Sequence, residues 1–467
     1  MKTKTCLTAG VILAGLGASS SALAETMEEA LVSAYNGNTT LQAQRASLRA
    51  TDEQVPQALS NWRPSVSLSG SAGKSDTYSS ARSSVNSQQV GASDNSSPRA
   101  ASVNVTQPLY RGGRTTAQTE QAESAVQAAR AQLASTEQTV LLNVATAYMN
   151  VVRDQAVVEL NRSNEQVLQR QLEATNDRFR VGEVTRTDVS QAESRLSAAH
   201  ADLTQAEGNL RASTANYISV VGHAPEKVKD PGKIDNLPGN SEDARAQALT
   251  GNPSVLAARY TYEAATHGVD LVAGELLPTV SLNASASRSA ETAGTESYSR
   301  GLTAGVSVTV PIYQQGQEYS RLRQQKHVTG QRQLELDSAK RDTIEATTRA
   351  WEALQTARAR IVSYTDQIRA AEVALEGVRR ESQVGSRTVL DVLNAEQELL
   401  NARVSLVQAR HDETVAAYQV KSAVGGLTAQ ALSLPVEYYD PVKHYDEVRE
   451  KWIGTSISPE YGDKAQK

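Results

Sequence analysis

The 467-residue chain has few large aromatic side chains: they make up 4% of it, with one Phe and three Trp. Elements packed through small side chains are therefore expected, rather than one thick core. The single cysteine, Cys6, lies at the extreme N-terminus. Everything after it thus lacks a disulfide framework, a thiolate metal site and a cysteine nucleophile. No apolar run of about 18 residues follows the N-terminus, which excludes membrane-spanning helices. The six histidines (200, 223, 267, 327, 411 and 444) show no i, i+3 or i, i+4 pairing, so no zinc site is expected. No phosphate-binding glycine loop and no G-x-S-x-G elbow is present, so neither a cofactor nor an enzymatic activity is expected. Hydrophobic residues at 39% are nevertheless too many for a wholly disordered chain.

What is present begins with an export signal. Lys2 and Lys4 precede an apolar run from Leu7 to Leu16, and Ala22-Leu23-Ala24 forms a small-x-small cleavage site. This reads as a signal peptide over 1–24, with Glu25 as the first mature residue. The remainder carries 45 basic and 52 acidic residues, two lysines fewer than the full chain's 47 basic. An exported acidic chain is a poor nucleic-acid binder, so no such partner is expected.

The sequence then repeats itself. RPSVSLSGSAG at 63–73 matches LPTVSLNASAS at 277–287, an offset of 214 that also aligns Asn38 with Asn252. VNVTQPLY at 103–110 matches VSVTVPIY at 306–313, and VGEVTRTDV at 181–189 matches VGSRTVLDV at 384–392, both at an offset of 203. A tandem duplication is the economical reading. It places a first repeat at 25–222, a connecting segment at 223–245, a second repeat at 246–425 and a C-terminal segment at 426–467.

Each half has one internal order. A helical stretch (about 27–60, then 242–275) ends at Pro64 or Pro278, since residues before proline avoid the helical region. Two alternating apolar-polar segments follow, at about 63–73 and 100–109 and again at about 278–288 and 301–310, and this period is strand-like. The Ser-, Asn- and Gln-rich stretch between the first pair, 74–99, is expected to be a long exposed loop. After Pro108 and Pro311 the pattern becomes two long helices. Val189, Leu196, Leu203 and Leu210 recur every seven residues, with Ala192, Ala199 and Ala206 three behind. Alternating large and small residues at the two core positions suits close antiparallel coiled-coil packing. The hairpin turns are VGEVTRTDV and VGSRTVLDV, where glycine ends one helix and Thr187-Asp188, or Thr388 to Asp391, starts the next. The fold class is thus mostly α, with two pairs of strands.

Four strands cannot close a barrel in lipid, because open sheet edges are not tolerated there and the smallest barrels need about eight. Either the strands lie outside a membrane, as in a periplasmic coiled-coil scaffold or adaptor, or several chains share one barrel.

The duplicated order, the P-L-Y-R-G-G and P-I-Y-Q-Q-G elements and the paired VGxxxxxDV turns resemble the TolC family of outer-membrane channel proteins. The resemblance runs over nearly all of 25–425. It implies a homotrimer with a twelve-stranded barrel in the outer-membrane lipid of a Gram-negative bacterium and a helical tunnel in the periplasm. A small equatorial domain would be drawn from 223–245 and the C-terminal segment. Implied partners are a periplasmic adaptor and an inner-membrane transporter of RND, ABC or MFS type, in drug efflux or type I secretion. Asp391 matches a position whose carboxylates ring the tunnel entrance; a second aspartate of many members is Asn394 here, so cation block is expected to be weaker. Arg387 matches a latch residue, Asp188 its partner, and Ser382 stands where members carry a latch tyrosine. Gly182, Glu183, Gly385 and Ser386 match the tips that meet the adaptor. Trp62, whose counterpart at the offset of 214 is Leu276, is a candidate membrane-interface anchor.

Overall fold

The computed structural model describes residues 25–82, 89–225, 227–232, 234, 236–292 and 296–457. The expected signal peptide and the residues after 457 lie outside them. Helices α1 (Met27–Gly37), α2 (Thr39–Asp52) and α3 (Gln54–Leu59) and a 3-10 turn, Ser60–Trp62, lead into the first strand. The continuous helix expected over 27–60 is broken at Asn38, and the one expected over 242–275 at Asn252. Asn38 adopts φ −69°, ψ 121°, and Asn252 adopts φ −69°, ψ 123°. Each side-chain oxygen caps the helix that follows, accepting from Thr40 N (3.0 Å) and Leu41 N (3.3 Å) in the first case. In the second it accepts from Ser254 N at 2.9 Å. Asparagine binds neighbouring backbone N–H groups well enough to compete with helix continuation. Pro253 at the first position of the new helix reinforces the break. The result is α6 (Ser241–Gly251) and α7 (Pro253–Ala273), followed by a 3-10 turn at Gly274–Leu276.

Strands β1 (Ser65–Ala72), β4 (Arg99–Arg111), β5 (Thr279–Ala290) and β6 (Tyr298–Thr309) form one antiparallel sheet in the order β1-β4-β5-β6. The segment expected as a loop at 74–99 instead holds a hairpin of β2 (Ser75–Arg82) and β3 (Gln89–Ser96), paired from Ser75↔Ser96 to Arg82↔Gln89. Its Ser- and Asp-containing strands carry no apolar alternation, so their pairing leaves no periodic trace. β4 runs through Pro108 to Arg111, slightly past the end expected at about 109. That proline lies beyond the last β1 pair, Ser65↔Thr106, and at a register shift between Pro108 and Tyr110, where a missing N–H is tolerated.

The register divides the sheet into two faces. Val66, Val105, Ala284 and Ala304 lie in one cross-strand row, and Leu68, Val103, Ala286 and Leu302 in the next. Leu68 is 78% exposed and Leu302 85%, so in the single chain this apolar face is bare. The opposite face is a polar ladder: Ser69 meets Ser102 (2.8 Å), Thr106 donates to Asn283 Oδ1 (3.2 Å), and Asn283 donates to Ser307 (2.9 Å). Among the described residues no helix is long and apolar enough to cross a membrane. At the base of the sheet, Gly112 (φ 65°) is pressed against Gly274, whose carbonyl oxygen would stand 2.4 Å from an added Cβ. That contact admits only glycine.

Long helices α4 (Arg114–Arg180), α5 (Arg186–Val221), α8 (Gln317–Gln383) and α9 (Val389–Ala423) and a short α10 (Lys443–Arg449) complete the chain. It divides into two compact units, whose boundaries fall between α1 and α2, within α4, between α5 and α6, within α8 and within α9. In the unit that holds α1, α5 and the described residues of 143–234 and 356–415, the heptad residues Val144 and Val151 are fully buried, and Val158 packs on Leu203 and Ala206. Two of the scarce aromatics, Tyr148 and Tyr217, are buried beside them. Tyr148 donates to the Lys229 carbonyl (2.6 Å), and Tyr217 to the Glu25 carboxylate (2.5 Å). Burial pushes the Tyr148 phenol up to about 12. In the other unit, the C-terminal segment is held on α2: His444 lies 3.0 Å from buried Asp52, and Arg45 stacks on Tyr439. Glu137 accepts the Ala429 N–H at 2.7 Å.

His411, nearly buried on α9, lies 3.0 Å from both Asn150 and Asp412. Burial lowers its pKa, and the hydrogen bond to Asp412 only partly opposes this. The unfolded imidazole titrates near 6.5, so the stability this neutral histidine contributes is present above that pH and lost as pH falls below it. Hydrogen exchange over 405–415, corrected for its intrinsic pH dependence, is expected to accelerate between pH 7.5 and 5.5. In His411→Gln that acceleration is expected to shrink; an equal acceleration in both proteins would remove His411 as the cause.

Candidate functional site

The two hairpin tips share one backbone design, 203 residues apart. α4 ends at left-handed Gly182 (φ 82°) and α8 at Gly385 (φ 79°). The Gly182 N–H donates to Phe179 O (3.0 Å) and Glu183 N–H to Arg178 O (2.9 Å). In the second tip Gly385 N–H donates to Ser382 O (3.2 Å) and Ser386 N–H to Glu381 O (2.9 Å). This pair of bonds satisfies the last carbonyls of a helix and needs a left-handed residue, which glycine supplies without strain.

The helices that follow open with matching capping boxes. Thr185 N and Oγ1 donate to Asp188 Oδ2 at 2.9 and 2.7 Å, and Asp188 N donates back to Thr185 Oγ1 at 3.3 Å. Thr388 N and Oγ1 likewise donate to Asp391 Oδ2 at 3.0 and 2.8 Å, with Asp391 N returning to Thr388 Oγ1 at 3.2 Å. The first cap is thus Thr185 and not the expected Thr187, because only a residue three before the aspartate can complete the reciprocal pair. Donation from Thr388, from backbone and side chain, holds the Asp391 carboxyl below the usual carboxylate range, with the nearby Arg387 charge adding to this.

The side chains around the two tips differ in charge order. On the first, Arg178 pairs with Glu183 at 2.6 Å. On the second, the matching position is Glu381, which pairs with Arg387 at 2.9 Å. This pair, more than the charge of Asp391, raises the Arg387 guanidinium above its ordinary value. Asn394 is at the surface and accepts from Arg195 Nη2 at 2.8 Å. Ser382 is buried in the last turn of α8. Beneath these groups, Val389 and Leu393 of α9 join Leu168 of α4 and Ala192 and Ala199 of α5 in one apolar cluster. The fold therefore gathers Ser382, Gly385, Ser386, Arg387, Asp391 and Asn394 on one tip, and Gly182, Glu183 and Asp188 on the other.

Trp62 belongs to the other compact unit, in the 3-10 turn before β1, 44% exposed, with its carbonyl accepting from Gln107 (2.8 Å). Sequence reasoning missed Glu381, Arg195, Arg178 and Thr185. The T-x-x-D spacing at 185–188 and 388–391 marks both caps, whereas nothing in the sequence couples Glu381 to Arg387 across a turn. Histidines 200, 223, 267, 411 and 444 each lie beside a carboxylate rather than beside one another.

A family model described as outer membrane efflux protein matches residues 30–223 and 244–426. Outer membrane efflux protein BepC of Brucella suis biovar 1 is 37% identical over 450 residues, which covers 96% of this chain and 95% of that protein. Outer membrane protein TolC of Escherichia coli K12 is 28% identical over 459 residues, covering 91% and 89% respectively. Among solved structures, outer membrane protein VceC of Vibrio cholerae superposes with a TM-score of 0.73 at 20% identity, covering 85% of this chain and 96% of that one.

Thr388→Ala removes the hydroxyl of the second cap, a change that typically costs about 1 kcal/mol of helix stability. Faster hydrogen exchange at 389–392 is expected, together with a rise of the Asp391 pKa toward the ordinary carboxylate value by NMR titration. Unaltered exchange and titration would show the cap to be dispensable.

Proposed function

We propose that this chain, which belongs to the outer membrane efflux protein family, works as a passive homotrimer in which three four-stranded sheets close one barrel. Members of this family are outer-membrane channels of Gram-negative bacteria with a large periplasmic helical part. The chain is an outer-membrane exit duct for efflux or type I secretion, acting with a periplasmic adaptor and an inner-membrane transporter. The observation that carries the trimer is the sheet itself. It has an apolar face, a polar face and two strands, β1 and β6, each paired on one side only. In lipid those edges must be closed. Three copies supply twelve strands, enough to leave an aqueous lumen lined by the polar ladder.

At the periplasmic end, Asp391 would form a ring of three carboxylates near the axis. Its cap with Thr388 keeps it ionised and fixed in orientation, which suits a group that repels anions and attracts cations. Asn394, held by Arg195, contributes dipoles and no charge to that ring. Arg387, positioned by Glu381 of its own tip, acts in the entrance latch together with Asp188, whose carboxylate is held by its cap with Thr185. The latch has no tyrosine arm, since Ser382 is buried within its own helix. Gly182, Glu183, Gly385 and Ser386 form the surfaces offered to the adaptor. Trp62, at the foot of β1, anchors the barrel at the periplasmic interface. Opening follows from the hairpins untwisting about the tips at 181–189 and 384–392.

Two substitutions test the entrance in planar bilayers. Asp391→Asn keeps an acceptor for the cap and removes the charge; cation affinity of the channel is expected to fall severalfold with helix content unaltered. Block that stays at the wild-type level would remove Asp391 from the pore. Arg387→Ser is expected to raise the resting conductance, and Glu381→Gln to do the same. A closed state indistinguishable from wild type in both variants would sink the latch.

A further inference from the structure

The helical segments all join the sheet at one end. The turn at Ser60–Trp62 leads into β1, α4 leaves β4, the turn at Gly274–Leu276 leads into β5, and α8 follows β6. With the helices in the periplasm, the opposite end of the strands faces the cell exterior. At that end the apolar face changes character. Arg288 of β5 and Arg300 of β6 are directly paired across the sheet, in the row that continues from Ala101. One row further out, Arg99 pairs with Ala290, which pairs in turn with Tyr298. By the alternation of the strands, all three arginines share the face of Leu302, Val306 and Val308. That face is turned to lipid in the barrel.

Two like charges placed directly opposite repel each other. Tyr298 offers partial compensation, since its ring lies 5.0 Å from the Arg288 guanidinium carbon and 5.2 Å from that of Arg300. No carboxylate answers them: among the described residues no ion pair involves Arg99, Arg288 or Arg300. Glu291, on the adjoining turn, accepts the Ser97 N–H at 2.9 Å instead. Glu296 is exposed on the same connection. From Val308 to Arg300 the strand rises about 27 Å, or about 20 Å of depth at a tilt of about 40°. The arginines therefore sit at the outer rim of an apolar band about 25 Å tall. A cation there is level with lipid headgroups, not acyl chains.

We propose that Arg99, Arg288 and Arg300, set around Tyr298, form a binding site for the phosphate groups of an anionic glycolipid of the outer leaflet. The guanidinium forks match phosphate oxygens in geometry and charge. A phosphate between Arg288 and Arg300 turns their mutual repulsion into shared attraction. The tyrosine holds both guanidinium groups in place before the lipid arrives and presents its ring at the interface, where such side chains are favoured. The inference rests on the barrel reading above and adds to it the class of lipid that the barrel prefers.

The test is native mass spectrometry of detergent-extracted trimers titrated with an acylated glucosamine disaccharide carrying two phosphates, or with its dephosphorylated form. Wild-type trimers are expected to retain the phosphorylated lipid at least about tenfold better. The triple variant R99Q/R288Q/R300Q should lose that preference, and the triple lysine variant should keep part of it, which separates charge from misfolding. Millimolar inorganic phosphate is expected to leave the bound lipid in place; its complete displacement would indicate a free-anion site and overturn the proposal. Intact wild-type trimers without preference, or glutamine variants that keep it, would overturn the lipid site and leave the barrel standing. A chain never recovered as trimers from the outer membrane would overturn both.

Discussion

An unpaired backbone N–H or C=O in lipid costs several kcal/mol, and this constraint governs the membrane half of the molecule. The sheet has two such edges, β1 and β6. Among the described residues no helix is apolar enough to enter the bilayer and cover them. Closure by other copies is the remaining solution, and it explains features that are otherwise odd for a chain of this length. The alternation leaves large aliphatic side chains bare on one face, Leu302 at 85% exposure among them. In a soluble monomer such a face would invite aggregation; around a barrel it is the surface that lipid requires. The polar face, stitched by Ser69–Ser102 and Asn283–Ser307, needs no solvation beyond a water-filled lumen.

The same accounting of backbone groups shapes the tips. Each helix end there is closed twice, by a left-handed glycine on the way out and by a threonine–aspartate box on the way in. Both tips satisfy their termini identically, and the residues that do so, the glycine, the central threonine and the aspartate, are shared between VGEVTRTDV and VGSRTVLDV. The residues free of backbone duty are the ones that differ. Arg178–Glu183 on one tip and Glu381–Arg387 on the other bridge comparable spans with opposite charge order. Capping therefore fixes the turn, and the leftover charges are available for specificity.

How much was legible follows from whether a feature has a period. Strands β1, β4, β5 and β6 announce themselves by alternation because one face meets lipid, and the long helices by Leu–Ala heptads because one stripe meets a neighbour. The β2–β3 hairpin has neither kind of face, so its Ser-rich strands read as loop. Asn38 and Asn252 were visible as an aligned pair, yet the surrounding helical composition concealed that both are caps. The end of β4 was read near 109 because the pairing that carries it on to Arg111 leaves no sequence signal. At the tips, residue identities and glycine positions were readable, but the partners were not. Arg387 meets Glu381 across a turn whose shape is set by Gly385, and Asn394 meets Arg195 on a helix 199 residues earlier. Such pairs depend on tertiary geometry and leave no local spacing to detect.

Opening a duct without unfolding it requires that the interactions between moving parts be weaker than those within them. Within each tip the turn is secured by four or more short-range backbone and capping bonds that travel with the hairpin. Arg195–Asn394, which joins the two hairpins, and Arg387–Glu381, within the second tip, are solvent-exposed, and exposed pairs add little net stability because water competes for both partners. The cluster of Leu168, Ala192, Ala199, Val389 and Leu393 is different: it is buried and joins the α4–α5 hairpin to α9. Alanine at two of those positions keeps the contact close but shallow, so helices can slide there at a lower cost than interdigitated leucines would impose. The buried Leu–Ala cluster therefore resists separation more than the exposed polar contacts do, and the capped turns, closed by their own short-range bonds, need neither of them to hold their shape.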